Sequence, residues 1–349
     1  MNKTQIFVDK VYRKIHFWIF DILGVKNTFL RFYLYPSYWH MVLRKQTSEG
    51  DKRGVYLTQC PNKGAGIGHQ LANWNSGLWY SSLFETHYAY SELSSESWNE
   101  FFGFFKNEIA ARELLESGYK KRCLPYFDSD NPKEVIIVRN IIESYMGYKV
   151  VFFLDLDQGY RAQCGTKSIL RDKFNSAYSR VSDNLFYDSA YINIAVHIRR
   201  GDIGGERAQL NQRLKARWLD NNYYANIIEQ ISYKINNNFK VKIYLFSQGD
   251  KKEFTMFDRY DNLVYCLDCS AMESFLHMVR ADILVMSRSS FSYKPALISD
   301  GIIICPPGFW HEYPEDERWM MVDGDGLLCK DQLDSINRML LYNKQKERS

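Results

Sequence analysis

A chain of 349 residues is long enough for two hydrophobic cores, at roughly 100–200 residues per domain, and this excludes a short peptide or a single small binding module. Hydrophobic residues make up 46% of the chain and charged residues 25%, which excludes a protein that is disordered over most of its length. Because 45 Lys and Arg face 41 Asp and Glu, the net charge of +4 is too small for a protein that mainly neutralises a nucleic-acid backbone, and a small anionic ligand is expected instead.

Residues 1–45 form a basic and aromatic N-terminal segment. Its apolar stretches are interrupted by Lys10, Arg13, Lys14 and Asp21, so the sequence predicts neither a secretory signal nor the ~20 apolar residues of a spanning helix. The composition suits a helix that lies at a membrane interface, and it equally suits a helix that packs on the body of the protein. These features favour a cytoplasmic protein, with peripheral contact at the inner face of the membrane as one of the two alternatives.

The rest of the chain predicts two α/β domains, an N-terminal domain at 46–185 and a C-terminal domain at 186–349. In the first, the pattern predicts strands at 54–60, 134–139 and 149–154 and a helix at 69–85. In the second, it predicts strands at 191–198, 241–246, 263–266, 283–286 and 301–305 and helices at 222–235, 271–279 and 291–299. Such alternation is typical of a parallel sheet covered on both faces, which binds ligands beyond the carboxyl ends of its strands.

Four polar side chains follow the first strand of the second domain, in the run His197-Ile198-Arg199-Arg200-Gly201-Asp202. Guanidinium groups present planar donor pairs that match phosphate oxygens. Side chains alternate along an extended chain, so His197 and Arg199 share a side and Arg200 points to the other. We interpret Arg200 and Asp202 as a pair that holds the loop, and His197 with Arg199 as an anion-binding set.

Two further strand ends and one turn carry residues suited to an anion. Ser247-Gln248-Gly249 follows one strand, and Ser287-Arg288-Ser289-Ser290 follows another and opens a helix, where hydroxyls and free N–H groups bind anions or simply cap the helix. The turn Gly64-Ala65-Gly66-Ile67-Gly68 lacks the spacing of a dinucleotide fingerprint. It indicates close approach of the backbone to a ligand, or only a tight strand-to-helix turn.

These segments together carry a resemblance to a known family. His197-Ile198-Arg199-Arg200-Gly201-Asp202 resembles the H-x-R-R-x-D motif of the GDP-fucose-dependent α1,2- and α1,6-fucosyltransferases and the protein O-fucosyltransferases, residues 64–70 resemble their glycine-rich loop, and residues 281–290 resemble their strand–serine–helix motif. The resemblance spans residues 54 to 305 in the family's order. It implies a GT-B-like α/β fold with two facing Rossmann-like domains and mainly parallel sheets, in which the second domain holds the nucleotide sugar and the first faces the acceptor.

The resemblance also implies an activity and a donor site. The activity is an inverting, metal-independent transfer of fucose from GDP-fucose to a hydroxyl of a glycan, without a cofactor. Arg199 corresponds to the phosphate-binding Arg, His197 to the His beside the nucleotide and Ser290 to the phosphate-contacting Ser. The remaining predicted donor-binding residues are Gly66, Ile67, Gly68, His69, Arg200, Asp202, Gln248, Glu273 and Ser289.

Three positions depart from the family pattern. Glu206 is the nearest counterpart of the catalytic Glu of the α1,6 enzymes, and its distance from Asp202 is one residue shorter than there. Ile203 stands where those enzymes have a Lys that contacts the nucleotide. Glu273 lies one residue from the family's acidic position, where a carboxylate could accept the N–H groups of the guanine edge.

Two other functions remain open on the sequence. Asp155-Leu156-Asp157 follows a predicted strand, and such a pair holds Mn²⁺ or Mg²⁺ in metal-dependent glycosyltransferases that use another nucleotide sugar. A nucleotide-sugar-binding protein without turnover is the second alternative. The seven cysteines are predicted to be reduced core thiols, and Cys266-x-x-Cys269 lacks the second ligand pair of a zinc site.

Overall fold

The computed structural model describes Trp18, Ile22 and residues 29–44, 54–62, 64–104, 106, 108–154, 162–203, 211–235 and 238–346. The chain divides into two compact units. The first comprises Met1–Asn62, Asn73–Glu92 and Phe105–Tyr160, and the second comprises Lys63–Ala72, Leu93–Phe104 and Arg161–Ser349. Each unit contains one parallel sheet, so the predicted α/β class with mainly parallel sheets is confirmed.

In the described part of the first unit, four parallel strands lie in the order β2-β1-β4-β3. They are β1 (Val55–Thr58), β2 (His87–Tyr88), β3 (Lys120–Cys123) and β4 (Val150–Phe153). The helices are α1 (Pro36–Leu43), α2 (Ile67–Leu83, whose first residues belong to the second unit), α4 (Ala111–Glu116) and α5 (Pro132–Glu143). The strand predicted at 54–60 and the helix predicted at 69–85 are therefore present as β1 and α2.

Residues 134–139 are helical, so the strand predicted there is wrong. Asn131 caps helix α5 by accepting a hydrogen bond from the Lys133 N–H at 3.1 Å, and Pro132 occupies the first turn. The apolar residues then fall on one helical face, where Val138, Ile141 and Ile142 are buried while Ile136 is 56% exposed. A run of β-branched residues favours a strand locally, but the capped start and this one-sided burial stabilise the helix.

The second unit has six parallel strands among its described residues, in the order β10-β9-β8-β5-β6-β7. They are β5 (Ile192–His197), β6 (Val241–Ser247), β7 (Leu263–Leu267), β8 (Ile283–Val285), β9 (Ile302–Cys305) and β10 (Trp319–Met321). The helices are α3 (Glu96–Phe102), α6 (Lys167–Ser176), α7 (Gln212–Lys215), α8 (Asn221–Ile235), α9 (Ala271–Arg280), α10 (Ser290–Ile298) and α11 (Lys330–Lys346). All five strands and all three helices predicted for the second domain are present, with no end shifted by more than one residue.

Both faces of the second sheet are buried. Along β5, Ile194 and Val196 belong to one apolar cluster, whereas the intervening Ala195 belongs to another. Every residue of β5 is buried, as a central parallel strand under two helical layers requires. Only the strand ends are therefore open to a ligand.

Residues 29–44 pack against the rest of the first unit by one face. Ser37 donates a hydrogen bond to the carbonyl of Cys123 at 2.8 Å, and Phe32 is fully buried. The opposite face exposes Trp39 and Leu43, which is 79% exposed. Among the residues that the structure describes, no helix combines the length and the apolarity needed to cross a bilayer.

Candidate functional site

Ser287 joins the carboxyl ends of the two central strands of the second sheet. It follows β8 and is fully buried, and its hydroxyl oxygen accepts hydrogen bonds from the Arg199 N–H at 3.3 Å and from the Tyr224 hydroxyl at 2.9 Å. The loop after β5 and the loop after β8 are thereby held together against helix α8. The sequence places Ser287 among the serines after β8, whereas no sequence signal indicates the role of Tyr224.

Two helices begin at this edge of the sheet. Ser289 caps α10, its hydroxyl accepting from the Phe291 N–H at 3.2 Å, while the half-buried Ser290 hydroxyl has no hydrogen-bond partner among the described residues. A Cβ on Gly68, in the first turn of α2, would lie 2.6 Å from the carbonyl carbon of Ser290. The positive ends of the two helices therefore meet at one point, where the N–H groups of Gly68 and Ser290 have no hydrogen-bond partner among the described residues, and such a point suits an anion.

His197 lies beside this point as an uncharged side chain. It is 7% exposed, and its ring lies 5.5 Å from the ring of Phe291. Burial, together with the charges of Arg199 and Arg200, lowers the pKa of His197 to about 3, so the imidazole is neutral near pH 7. Its Nδ1 is buried and has no hydrogen-bond partner in the described part of the chain. A neutral imidazole can bind a ligand by hydrogen bonding, but it adds no positive charge to the site.

Arg199 is the residue that pairs with Asp202. The guanidinium donates to the carboxylate through Nε at 3.2 Å and through Nη2 at 2.7 Å. The backbone turns back between them at Gly201, whose φ of +56° is the left-handed conformation that favours glycine. The pairing predicted between Arg200 and Asp202 is therefore wrong, because alternation along an extended chain stops at this turn.

Arg200 is 4% exposed and holds the chain segment that leads into α8. It donates to the carbonyl oxygens of Arg199 at 2.8 Å and Leu219 at 3.2 Å and to Oδ1 of Asn221 at 2.5 Å. Its guanidinium carbon lies 3.8 Å from the ring centre of Trp218. These contacts use three of the five N–H donors of Arg200 within the protein and give it a structural role, while its binding of the nucleotide sugar stays a prediction.

Four other predicted donor-binding residues lie at the glycine-rich turn and in the loop after β6. Ile67 is 6% exposed, so only its backbone could face a ligand, whereas Gly66 is exposed and His69 is half-buried. The exposed Gln248 lies over Gly201, where an added Cβ would be 2.4 Å from its Oε1.

The remaining predicted acidic residues are Glu273, Glu206 and the pair Asp155 and Asp157. Glu273 is exposed in the first turn of α9, the helix that follows β7 in the chain and packs on α10. Its N–H donates to the capping hydroxyl of Ser270 at 3.1 Å. Glu206 falls within 204–210, and Asp155 with Asp157 falls within 155–161; the structure describes neither segment. Ile203 is buried, so no polar group contacts a ligand from that position.

The seven cysteines are free thiols, but Cys123 and Cys329 are exposed, so the prediction of core thiols is wrong for these two. Cys266 is buried, and burial is the main cause that raises the pKa of its thiol to about 12. Among the residues described, no group of three or more His, Cys, Asp or Glu side chains converges as metal ligands would.

No protein family matches the sequence, and no curated protein matches it. Solved structures with some likeness include POFUT1 in complex with GDP-fucose, at a TM-score of 0.42 and 13% identity over 73% of this chain and 96% of that one. Fucosyltransferase NodZ from Bradyrhizobium has a TM-score of 0.37 and 12% identity, covering 71% and 94%. A variant of Arabidopsis thaliana FUT1 in complex with GDP has a TM-score of 0.42 and 8% identity, covering 81% and 75%. Such low scores do not carry an activity over to this chain.

Proposed function

We propose that this protein is an inverting glycosyltransferase that moves fucose from GDP-fucose to a hydroxyl of a glycan, with no metal ion. The observation that carries the proposal is the meeting of two helix N-termini, at Gly68 and Ser290, on the strand edge that also holds Arg199 and His197. A nucleotide diphosphate is the ligand class that such donors match. The motif resemblance supports GDP-fucose as the particular donor.

The proposed mechanism places the departing diphosphate against these donors. As the bond between fucose and the β-phosphate breaks, negative charge grows on the phosphate oxygens while the sugar becomes oxocarbenium-like. Arg199, the Ser290 hydroxyl and the backbone N–H groups of the two helix starts are fixed before the reaction, and donors aimed at developing charge lower the barrier. With this charge stabilised by protein groups, no step requires a metal ion.

Arg199 is shared between Asp202 and the proposed ligand. Because the Asp202 side chain is 66% exposed, the ion pair is screened by water and does not bury a charge. Asp202 would keep the guanidinium oriented while the remaining donors face the phosphates. His197 would hydrogen-bond the donor in its neutral form.

The acceptor side of the reaction is assigned to Glu206 and to the first unit. A general base must accept the proton of the attacking hydroxyl, and Glu206 is the carboxylate proposed for this step. Glu273 is proposed to contact the guanine. The exposed side chains of Trp39 and Leu43 support peripheral membrane contact of a cytoplasmic enzyme.

The proposal is tested with a panel of GDP-, UDP- and dTDP-linked sugars, by thermal stabilisation and by donor hydrolysis. We expect GDP and GDP-fucose to raise the melting temperature and the other nucleotides to leave it unchanged, because a ligand of the folded state stabilises by mass action. Slow release of fucose from GDP-fucose would distinguish an enzyme from a binding protein. Stabilisation by UDP or dTDP compounds and not by GDP compounds would contradict the proposal.

A further inference from the structure

Arg217 carries a guanidinium group that the proposed mechanism does not use. It is half-buried, and its guanidinium carbon lies 4.9 Å from the ring centre of Trp310. In the described part of the chain its side chain makes no ion pair and donates no hydrogen bond. A partly desolvated positive charge is unfavourable without a negative partner. The Arg217 guanidinium is therefore suited to binding an anionic ligand.

Arg217 and Trp310 are held at the same edge of the sheet as Arg199. Arg288, which follows β8, donates through Nη1 to the carbonyl of Ala216 at 3.1 Å and through Nε to the carbonyl of Pro307 at 3.1 Å. Ala216 precedes Arg217, and Pro307 lies just after β9 and three residues before Trp310. Arg288 therefore holds the segment that contains Arg217 and the segment that contains Trp310. The contact with the Trp310 ring also restricts the Arg217 side chain.

The charges around Arg217 are those of the donor site. Burial is the main cause that lowers the pKa of Arg217; the positive charge of Arg199 lowers it further, and the carboxylate of Asp202 raises it. Two guanidinium groups thus share the field of one exposed carboxylate. Since Arg199 already binds Asp202 through two hydrogen bonds, this small cluster has an excess of positive charge.

We propose that Arg217 binds the diphosphate of the donor as a second guanidinium, with Trp310 as the residue that positions it. This inference rests on the proposed function, because it takes the ligand to be a nucleoside diphosphate. A diphosphate carries more negative charge than a monophosphate, and a second cation beside Arg199 favours the diphosphate selectively. Arg217 therefore contributes to discrimination between GDP and GMP.

The test is calorimetric titration of GDP and GMP into the full chain and its Arg217→Gln, Trp310→Ala and Arg259→Gln variants. We expect Arg217→Gln to weaken GDP about tenfold or more and GMP about threefold or less. Arg259 is a matched control, since it is exposed, pairs with Glu229 and comes before the amino end of β7, whereas the proposed site lies at the carboxyl ends of the strands. The Arg259→Gln variant should therefore bind both ligands as the parent does. Circular dichroism verifies that each variant is folded.

The role of Trp310 is tested by combining the changes. Trp310→Ala should weaken GDP severalfold in the parent and add little once Arg217 is Gln, because a positioning residue acts through its partner. Independent, additive losses would overturn the positioning role.

The inference is overturned if Arg217→Gln leaves GDP affinity within about twofold of the parent, or weakens GDP and GMP equally. Arg199→Gln separates this failure from a failure of the proposed function. If Arg199→Gln weakens GDP and Arg217→Gln does not, only the role of Arg217 is wrong. If the parent binds neither nucleotide, the proposed function itself is wrong.

Discussion

Gly68 contacts the backbone of Ser290 so closely that a Cβ at Gly68 would lie 2.6 Å from the Ser290 carbonyl carbon and 2.8 Å from the Phe291 nitrogen. Both neighbours are backbone atoms of a buried helix and cannot rotate away as a side chain could. The contact explains why glycine occupies the first turn of α2, where other residues are better helix formers. It also means that the starts of α2 and α10 cannot separate without altering the anion site.

Gly68→Ala should therefore destabilise the protein by about 1–3 kcal/mol and weaken GDP binding, because the added methyl group overpacks the contact. Gly66→Ala is the matched control for stability, since beyond its chain neighbours no heavy atom of a described residue lies within 4 Å of its Cβ position. Thermal unfolding and GDP titration measure both effects. A Gly68→Ala variant as stable and as tight-binding as Gly66→Ala would contradict the assigned contact.

Substitution of Arg199 should lower the activity, whereas substitution of Arg200 should lower the stability of the fold. Arg199→Lys should lower kcat/KM about 10²-fold or more with little change in melting temperature, because a single ammonium cannot replace the forked donors aimed at the diphosphate. Arg200→Gln should lower the free energy of unfolding by about 1–3 kcal/mol, because buried acceptors such as the Leu219 carbonyl lose their partner. Steady-state kinetics and denaturant titration separate the two, and near-normal activity of a folded Arg199→Lys variant would remove its assignment.

Glu206→Gln should lower kcat by roughly 10²–10⁴-fold and leave GDP affinity unchanged, because the amide keeps the size of the side chain and removes its basicity. Transfer assays and GDP titration are run on the same preparation. If transfer stays within a few-fold of the parent, we would turn to Glu273 and then to Asp202 as the base.

Transfer should continue in EDTA, since protein donors are proposed to stabilise the diphosphate. Asp155→Asn with Asp157→Asn should likewise change the rate little. Loss of transfer in EDTA that Mn²⁺ restores, together with an inactive double variant, would support the metal-dependent alternative.

The free energy of unfolding should decrease as the pH is lowered, and His197 should cause part of this decrease. Its pKa of about 3 in the folded state lies below the ordinary value of 6.5, so between these values the unfolded chain binds a proton that the folded chain does not. The free energy of unfolding should therefore decrease as pH falls from about 6.5 toward 3, by up to ~1.4 kcal/mol per pH unit from this one group.

His197→Gln should reduce that slope, whereas His87→Gln, which changes an exposed histidine, should leave it unchanged. Urea unfolding at a series of pH values measures the slope for each variant. Equal slopes for the parent and His197→Gln would show that His197 is not the group responsible.

The strands of the second unit could be predicted because a parallel strand that is buried on both faces needs apolar residues throughout. Ile192–His197 and Ile302–Cys305 show this as short apolar runs. The same reasoning failed at Pro132–Glu143, where Asn131, Pro132 and burial of one face outweigh the local preference of the β-branched residues.

By itself, the sequence determined the parallel α/β class, the strand ends at which a site could form, and the presence of Arg199, His197 and the serines there. Only the tertiary structure decided how these residues are used. The turn at Gly201 allows Asp202 to pair with Arg199. Arg200 is buried and binds backbone carbonyls, and the close contact of Gly68 with Ser290 brings two helix starts together. Periodicity and spacing describe one segment at a time, whereas each of these outcomes depends on a turn or a contact between segments far apart in the chain.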